Sequence, residues 1–174
     1  PETDRRTKSY LNDGLAHVLV EMGNAALAAN QPETAQQHYQ AAIDVRQKLP
    51  PRADYLRKLS ELLASCPDKS LRNPKAAVQA ASQAVRLAER NGPALSALGL
   101  AQLRDGQTEE AIGSIEKARK LRIYPHCADS YVLALALLAR NEEGDAERAR
   151  KEFAEAAKLR GIQGAGHGDW RRLH

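Results

Sequence analysis

An all-α chain, folded as an alpha-alpha superhelix of about four helical hairpins, is what this sequence predicts, on three observations. First, 31 of its 174 residues are Ala, the strongest helix former, and residues favouring strands are concentrated nowhere. Second, one short phrase recurs four times: Ala35-Tyr39-Ala42, Ala77-Ala81-Ala84, Ala111-Ile115-Ala118 and Ala149-Phe153-Ala156. Spacings of four and three set each triplet on one helix face, and small residues there let a neighbouring helix come close. The leading alanines lie 42, 34 and 38 residues apart, a period that marks stacked helical repeats. Third, Pro, Gly and Asn cluster at intervals that suit hairpin turns.

Each element follows from local signals. Pro1 to Ser9 is polar and charged and reads as a frayed lead-in. A first helix is expected from about Asn12 or Asp13 to Ala29, with Leu19, Met22, Gly23 and Ala26 as its packing stripe. Asn30-Gln31 turns the chain, and Pro32 suits the first position of a second helix that runs to about Lys48 before Pro50-Pro51. The second hairpin opens near Arg52, and its first helix ends at Ser65. A long connector, Cys66 to Asn73, leads to Asn73-Pro74, a capping side chain followed by a first-turn proline. The helix after it is expected to reach Arg90, with Ala77, Val78, Ala81, Ala84, Val85 and Ala88 as its apolar stripe.

Asn91-Gly92-Pro93 separates the second and third hairpins. Helices over Ala94–Arg104 and Thr108–Leu121 flank Asp105-Gly106-Gln107, and Leu95, Leu98 and Gly99 form a stripe that Gln102 interrupts. The fourth hairpin pairs His126–Arg140 with Asp145–Arg160 across Asn141 to Gly144. The expected division is a flexible lead-in over 1–11, repeats over about 12–49, 52–90, 93–122 and 126–160, and a tail over 161–174. That tail is Gly-rich, or carries a short capping helix around Asp169 to Leu173.

The residues then resemble a known family, the tetratricopeptide repeat (TPR) proteins. The resemblance rests on Met22-Gly23 followed by Ala35-Tyr39-Ala42, on Leu98-Gly99 followed by Gly106, Ala111 and Ala118, and on Leu133-Ala134 followed by Phe153 and Ala156. It covers about Asp13 to Arg160. A narrower likeness, through Leu62-Leu63-Ala64-Ser65-Cys66-Pro67-Asp68 and Leu71-Arg72-Asn73-Pro74, is to TPR arrays of bacterial multidomain regulatory proteins. Such arrays often follow serine/threonine protein kinase domains, although no kinase motif occurs in these residues.

The resemblance implies a protein–protein interaction module in the cytoplasm, holding a peptide or a partner protein on a concave face lined by the first helix of each hairpin. On spacing, that face takes Val20, Asn24 and Leu27; Arg57, Glu61 and Ala64; Ser96, Leu100 and Leu103; and Tyr131, Leu135 and Leu138. Some TPR domains clamp a terminal carboxylate with Lys, Asn and Arg. Here Asn24 is suitably placed but Val20 stands where a Lys is wanted, so that ligand is not expected.

Other chemistry finds little foothold. The five histidines (His17, His38, His126, His167 and His174) lack a second ligand at metal spacing, and no nucleophile has an adjacent base. No catalytic residue, metal or cofactor is expected, and the chain is read as a non-enzyme. Glu109-Glu110 suits a helix first turn. Lys117, Arg119, Lys120 and Arg122 cluster at one helix end, where cations complement the dipole. A net charge of +4 permits nucleic-acid contact, but no aromatic platform interleaves this cluster, and nucleic acid is not the expected partner. A helical-repeat nucleic-acid-binding module using that patch is the alternative reading, and a purely structural assembly domain is another. Cys66 and Cys127 are expected as reduced thiols. The longest apolar run, Tyr131 to Ala139, is far short of the roughly 20 residues that cross a bilayer. Trp170, with Arg171 and Arg172, reads as a terminal cap over the last hairpin.

Overall fold

Small residues decide where the helices of this chain can touch, and they produce four antiparallel hairpins. The computed structural model describes residues 2–164. Its elements are α1 (Glu2–Ala28), α2 (Pro32–Gln47), α3 (Ala53–Ser65), a 3-10 turn (Lys69–Leu71), α4 (Pro74–Leu87), α5 (Gly92–Arg104), α6 (Thr108–Leu121), α7 (Cys127–Arg140) and α8 (Asp145–Gly164). No strand occurs among the described residues. The tail readings, including the Trp170 cap, fall outside them.

The principal contacts run within the pairs α1/α2, α3/α4, α5/α6 and α7/α8, and then between successive pairs. α2 meets α3, α4 meets α5, and α6 meets α7, while α3 also touches α5 and α5 touches α7. This is successive nesting, each hairpin supporting the next, as stacked repeats require.

The recurring phrase is the inner seam. Its twelve residues are buried except Phe153, which is half-buried. In the first and third hairpins a glycine faces the middle residue of the phrase. A Cβ on Gly23 would stand 2.6 Å from Tyr39 Cε1, and one on Gly99 would stand 2.7 Å from Ile115 Cδ1. Those glycines are therefore notches for Tyr39 and Ile115, both fully buried. The Tyr39 hydroxyl leaves the apolar seam by donating to Asn24 Oδ1 at 2.8 Å. Gln102 does not break the α5 stripe; it accepts from Ser114 Oγ at 2.7 Å and ties α5 to α6.

Two apolar clusters result. One joins Val20, Tyr39 and Ile43 to Leu59, Leu62, Leu63 and Ala101, and the other joins Ile112 and Ile115 to Val132, Leu133 and Leu137. Leu100 packs against both and makes the interior continuous.

Caps and turns fall largely where the signals put them. Asn73 Oδ1 accepts from Ala76 N and Asn91 Oδ1 from Ala94 N, each at 3.0 Å. The long connector is ordered rather than loose. Asp68 accepts from Ser70 N at 2.8 Å, Arg72 Nε donates to the Cys66 carbonyl at 2.6 Å, and Asn73 N donates to the Leu63 carbonyl at 3.0 Å. Cys66 and Cys127 are both buried, and no disulfide joins them.

α5 starts at Gly92 rather than Ala94, and three boundaries differ by more. The first helix starts at Glu2 rather than Asn12 or Asp13, so residues expected as a frayed lead-in are helical. The segment contains no Pro or Gly before Gly14, and Asp4 complements the positive end of the dipole. α4 stops at Leu87 rather than Arg90, because residues 88–91 form the turn that sets Asn91 as the next cap. α8 extends beyond Arg160 to Gly164. Met22, expected in the packing stripe, is 44% exposed, whereas Gly23 and Ala26 are buried.

The last hairpin turns through Asn141 (φ 59°) and Gly144 (φ 82°). Arg140 clasps Asp145 across it, Nε to Oδ2 at 2.8 Å and Nη2 to Oδ1 at 2.6 Å. This bidentate donation holds the Asp145 carboxyl down to about 2.

Gly99→Ala must displace Ile115 and approach the Ala111 carbonyl; we expect it to lower stability by roughly 1–3 kcal/mol. Gly113→Ala, whose new Cβ meets nothing within 4 Å, should raise stability by roughly 0.5–1 kcal/mol. Urea denaturation followed by circular dichroism reads both. The Asp145 clasp gives a pH signature of definite sign. A carboxyl depressed from 3.8 to about 2 contributes fully above its ordinary value, and that contribution is lost as pH falls from about 3.8 towards 2. Thermal melts between about pH 5 and pH 2 should show this loss in the native chain and a shallower acid dependence in Asp145→Asn.

Candidate functional site

The first helices of the four hairpins border one shared groove of about 620 Å³. His17 and Val20 come from α1; Arg57, Lys58, Glu61, Leu62 and Ser65 from α3; Pro93, Ser96, Ala97 and Leu100 from α5; and Ala128, Asp129 and Val132 from α7. Arg46, at the end of α2, Pro67, just after α3, Arg122, just after α6, and His126, just before α7, complete the wall.

Of the residues expected on the inner face, the groove gathers Val20, Arg57, Glu61, Ser96 and Leu100. Asn24 lies beyond it and is engaged by Tyr39. Leu27 is 39% exposed and Ala64 is fully buried in the core. Leu103 packs against the second apolar cluster. Tyr131 meets Phe153 edge-on at a centroid distance of 6.0 Å. Leu135 and Leu138 stay exposed, outside the groove, and α7 contributes its first-turn side of Ala128, Asp129 and Val132 instead.

The floor is apolar, and the charges on the walls are paired with one another. Asp13, on the α1 face that also carries His17 and Val20, accepts from Arg46 Nη1 at 2.9 Å and from Lys58 Nζ at 2.6 Å. One carboxylate thus links α1, α2 and α3. Burial lowers the pKa of the Arg46 guanidinium, and the opposing pull of Asp13 only partly offsets it. Arg57 bridges Glu61 at 2.7 Å and Asp54 at 2.9 Å. Burial would lower its pKa, but those two carboxylates outweigh burial and the net shift is upward.

At the other end Arg122 Nε lies 2.9 Å from Asp129 Oδ2, and Arg122 Nη2 donates to Ser96 Oγ at 3.0 Å. Asp129 is 1% exposed, so the pair is a buried anchor between the third and fourth hairpins. His126 beside it is pushed below its ordinary pKa, chiefly by burial and then by Arg122, which favours its neutral form at pH 7. With its charges largely matched and an apolar floor, the groove can accept an extended segment through apolar side chains and scattered polar contacts. No group of three His, Cys, Asp or Glu that could hold a metal is present among the described residues.

Sequence spacing missed Arg46, Lys58, Arg122, Asp129 and Val132. One signal was present: Asp13, His17, Val20 and Asn24 share a helix face at intervals of four, three and four. The basic cluster at the α6 end is partly spent inside the fold, since Arg119 pairs with Glu152 at 2.8 Å and Arg122 with Asp129. No helix among the described residues is long and apolar enough to cross a membrane. Compared with models of protein families and with curated proteins, the chain matches none.

Asp13→Ala should leave Arg46, 6% exposed, without its counter-charge. Loss of one partner from so buried a pair is expected to cost roughly 3 kcal/mol, read as a lowered urea midpoint.

Proposed function

We propose that the chain is a TPR-like array that holds a peptide or a segment of a partner protein in the groove between its first helices. One observation carries this reading: α1, α3, α5 and α7 each contribute side chains to the same cleft. Stacked hairpins present such a surface already ordered, which lowers the cost of capturing a chain. A volume of about 620 Å³ suits a few side chains, and Val20, Leu62, Ala97, Leu100 and Val132 offer them an apolar floor. A place for the array inside a larger bacterial regulatory protein, and a cytoplasmic setting, belong to the same proposal and rest on the family resemblance. The basic patch favours the nucleic-acid alternative less, because Arg119 and Arg122 already face carboxylates.

The test is selection of displayed random dodecapeptides on the native chain, with the enriched peptides then titrated by calorimetry. Ser65→Trp fills the groove from its wall without entering either apolar cluster, and Leu100→Asp charges its floor. Each is expected to weaken capture by about tenfold or more. Leu138→Asp, exposed and outside the groove, should leave capture unchanged. Circular dichroism reports whether each variant keeps its helicity. Failure to enrich any peptide, or undiminished capture by Ser65→Trp, would rule the groove out.

A further inference from the structure

The α1 helix has two apolar faces, and the described residues pack against only one of them. Ala16, Val20, Gly23 and Ala26 turn inward. On another side Leu11, Leu15, Val18 and Met22 stand in solvent, 68%, 49%, 53% and 44% exposed, and the line continues through exposed Ala25 and Ala29. Intervals of four, three, four, three and four make this a coiled-coil seam, and none of its six positions is charged. None of the six lines the groove. Four large exposed apolar residues in one row form an unpartnered face of the kind that marks an interface.

The order of residue sizes along the seam identifies the occupant. Large residues hold its N-terminal half and alanines its C-terminal end. Laid antiparallel on itself about Val20, the seam matches Leu11 with Ala29, Leu15 with Ala25, and Val18 with Met22. Each leucine of the first half meets an alanine, and Val18 meets Met22 at the centre. A parallel copy would set Leu11 on Leu11 and Ala25 on Ala25, crowding one end and leaving the other slack. Charge agrees with the antiparallel order. The overlay brings exposed Arg5, Arg6 and Lys8 of one copy, which outnumber exposed Asp4 beside them, towards the other end of α1, where exposed Glu33 opens α2.

We infer that the occupant is a second copy of this chain, docked antiparallel through α1 in a two-fold dimer. A two-fold interface requires a surface that complements itself under reversal, which this seam does. The seam is about 27 Å long, 18 residues at about 1.5 Å each, and one helix wide. That is small for a stable dimer, so the association belongs in the micromolar range. The proposal does not depend on the groove or on what fills it.

Sedimentation equilibrium of the native chain from about 1 to about 500 µM should show mass rising from monomer towards dimer. Leu15→Glu with Val18→Glu should weaken association at least about tenfold, because each copy then buries unpaired charge. Its circular dichroism and peptide capture should stay native. Cysteine cross-linking reads the register. A mixture of Leu15→Cys and Ala25→Cys chains should form mixed disulfide dimers under mild oxidation, faster than either variant alone. A monomer across the whole range, a dimer indifferent to the double charge substitution, or cross-linking of Leu15→Cys alone as fast as the mixture would each overturn the inference.

Discussion

The close approach of two helices at a notch is the constraint on which the rest of this structure depends. Gly23 receives Tyr39 and Gly99 receives Ile115, with less room than any added carbon would need. The flanking alanines of each phrase then bring the paired backbones near enough to bury their shared side. Helices of this length are marginal alone, so tertiary packing must hold them. Hairpins built this way present further apolar surface to their neighbours, and Leu100 joins the two interior clusters across the middle of the chain. The groove exists because α3, α5 and α7 lie side by side and α1 borders the same space through its own hairpin, without the first helices closing on one another.

Much of this was legible in the residues. The Ala phrases gave the number of hairpins and the buried seam, Asn73-Pro74 gave a helix start with its capping side chain, and Asn91-Gly92-Pro93 gave a boundary between hairpins. Those signals are local, within one or two helix turns. The site was less legible, because its walls are set by ion pairs that span the array. Asp13 reaches Arg46 across 33 residues and Lys58 across 45, and no periodicity within one helix encodes such partners. Tyr131 illustrates the opposite difficulty. Its spacing suits an inner face, but an aromatic partner in the neighbouring helix, Phe153, takes the ring.

The polar interactions divide by position. At the turns they define geometry, as where Arg140 and Asp145 close the last hairpin or Asp68 orders the long connector. Along the groove they join separate hairpins and neutralise one another, through Asp13 at one end and through Arg122 and Asp129 at the other. Removing two charges from water is repaid only with good geometry, so such a pair adds little net stability even though losing one partner costs much. The outer seam of α1 has no polar element of this kind, and its specificity comes from residue size along the helix.

The unequal intervals between the four phrases have a consequence for how such a chain can be inherited. Most of the surplus in the first interval lies in the Cys66–Asn73 connector, and that in the last is shared among the 122–126 link, α7 and the turn around Glu142. Each unit answers chiefly to the units before and after it. Duplication or loss of a whole hairpin would therefore preserve the local fit of those that remain, and length becomes a variable that descent can change without redesigning the interior.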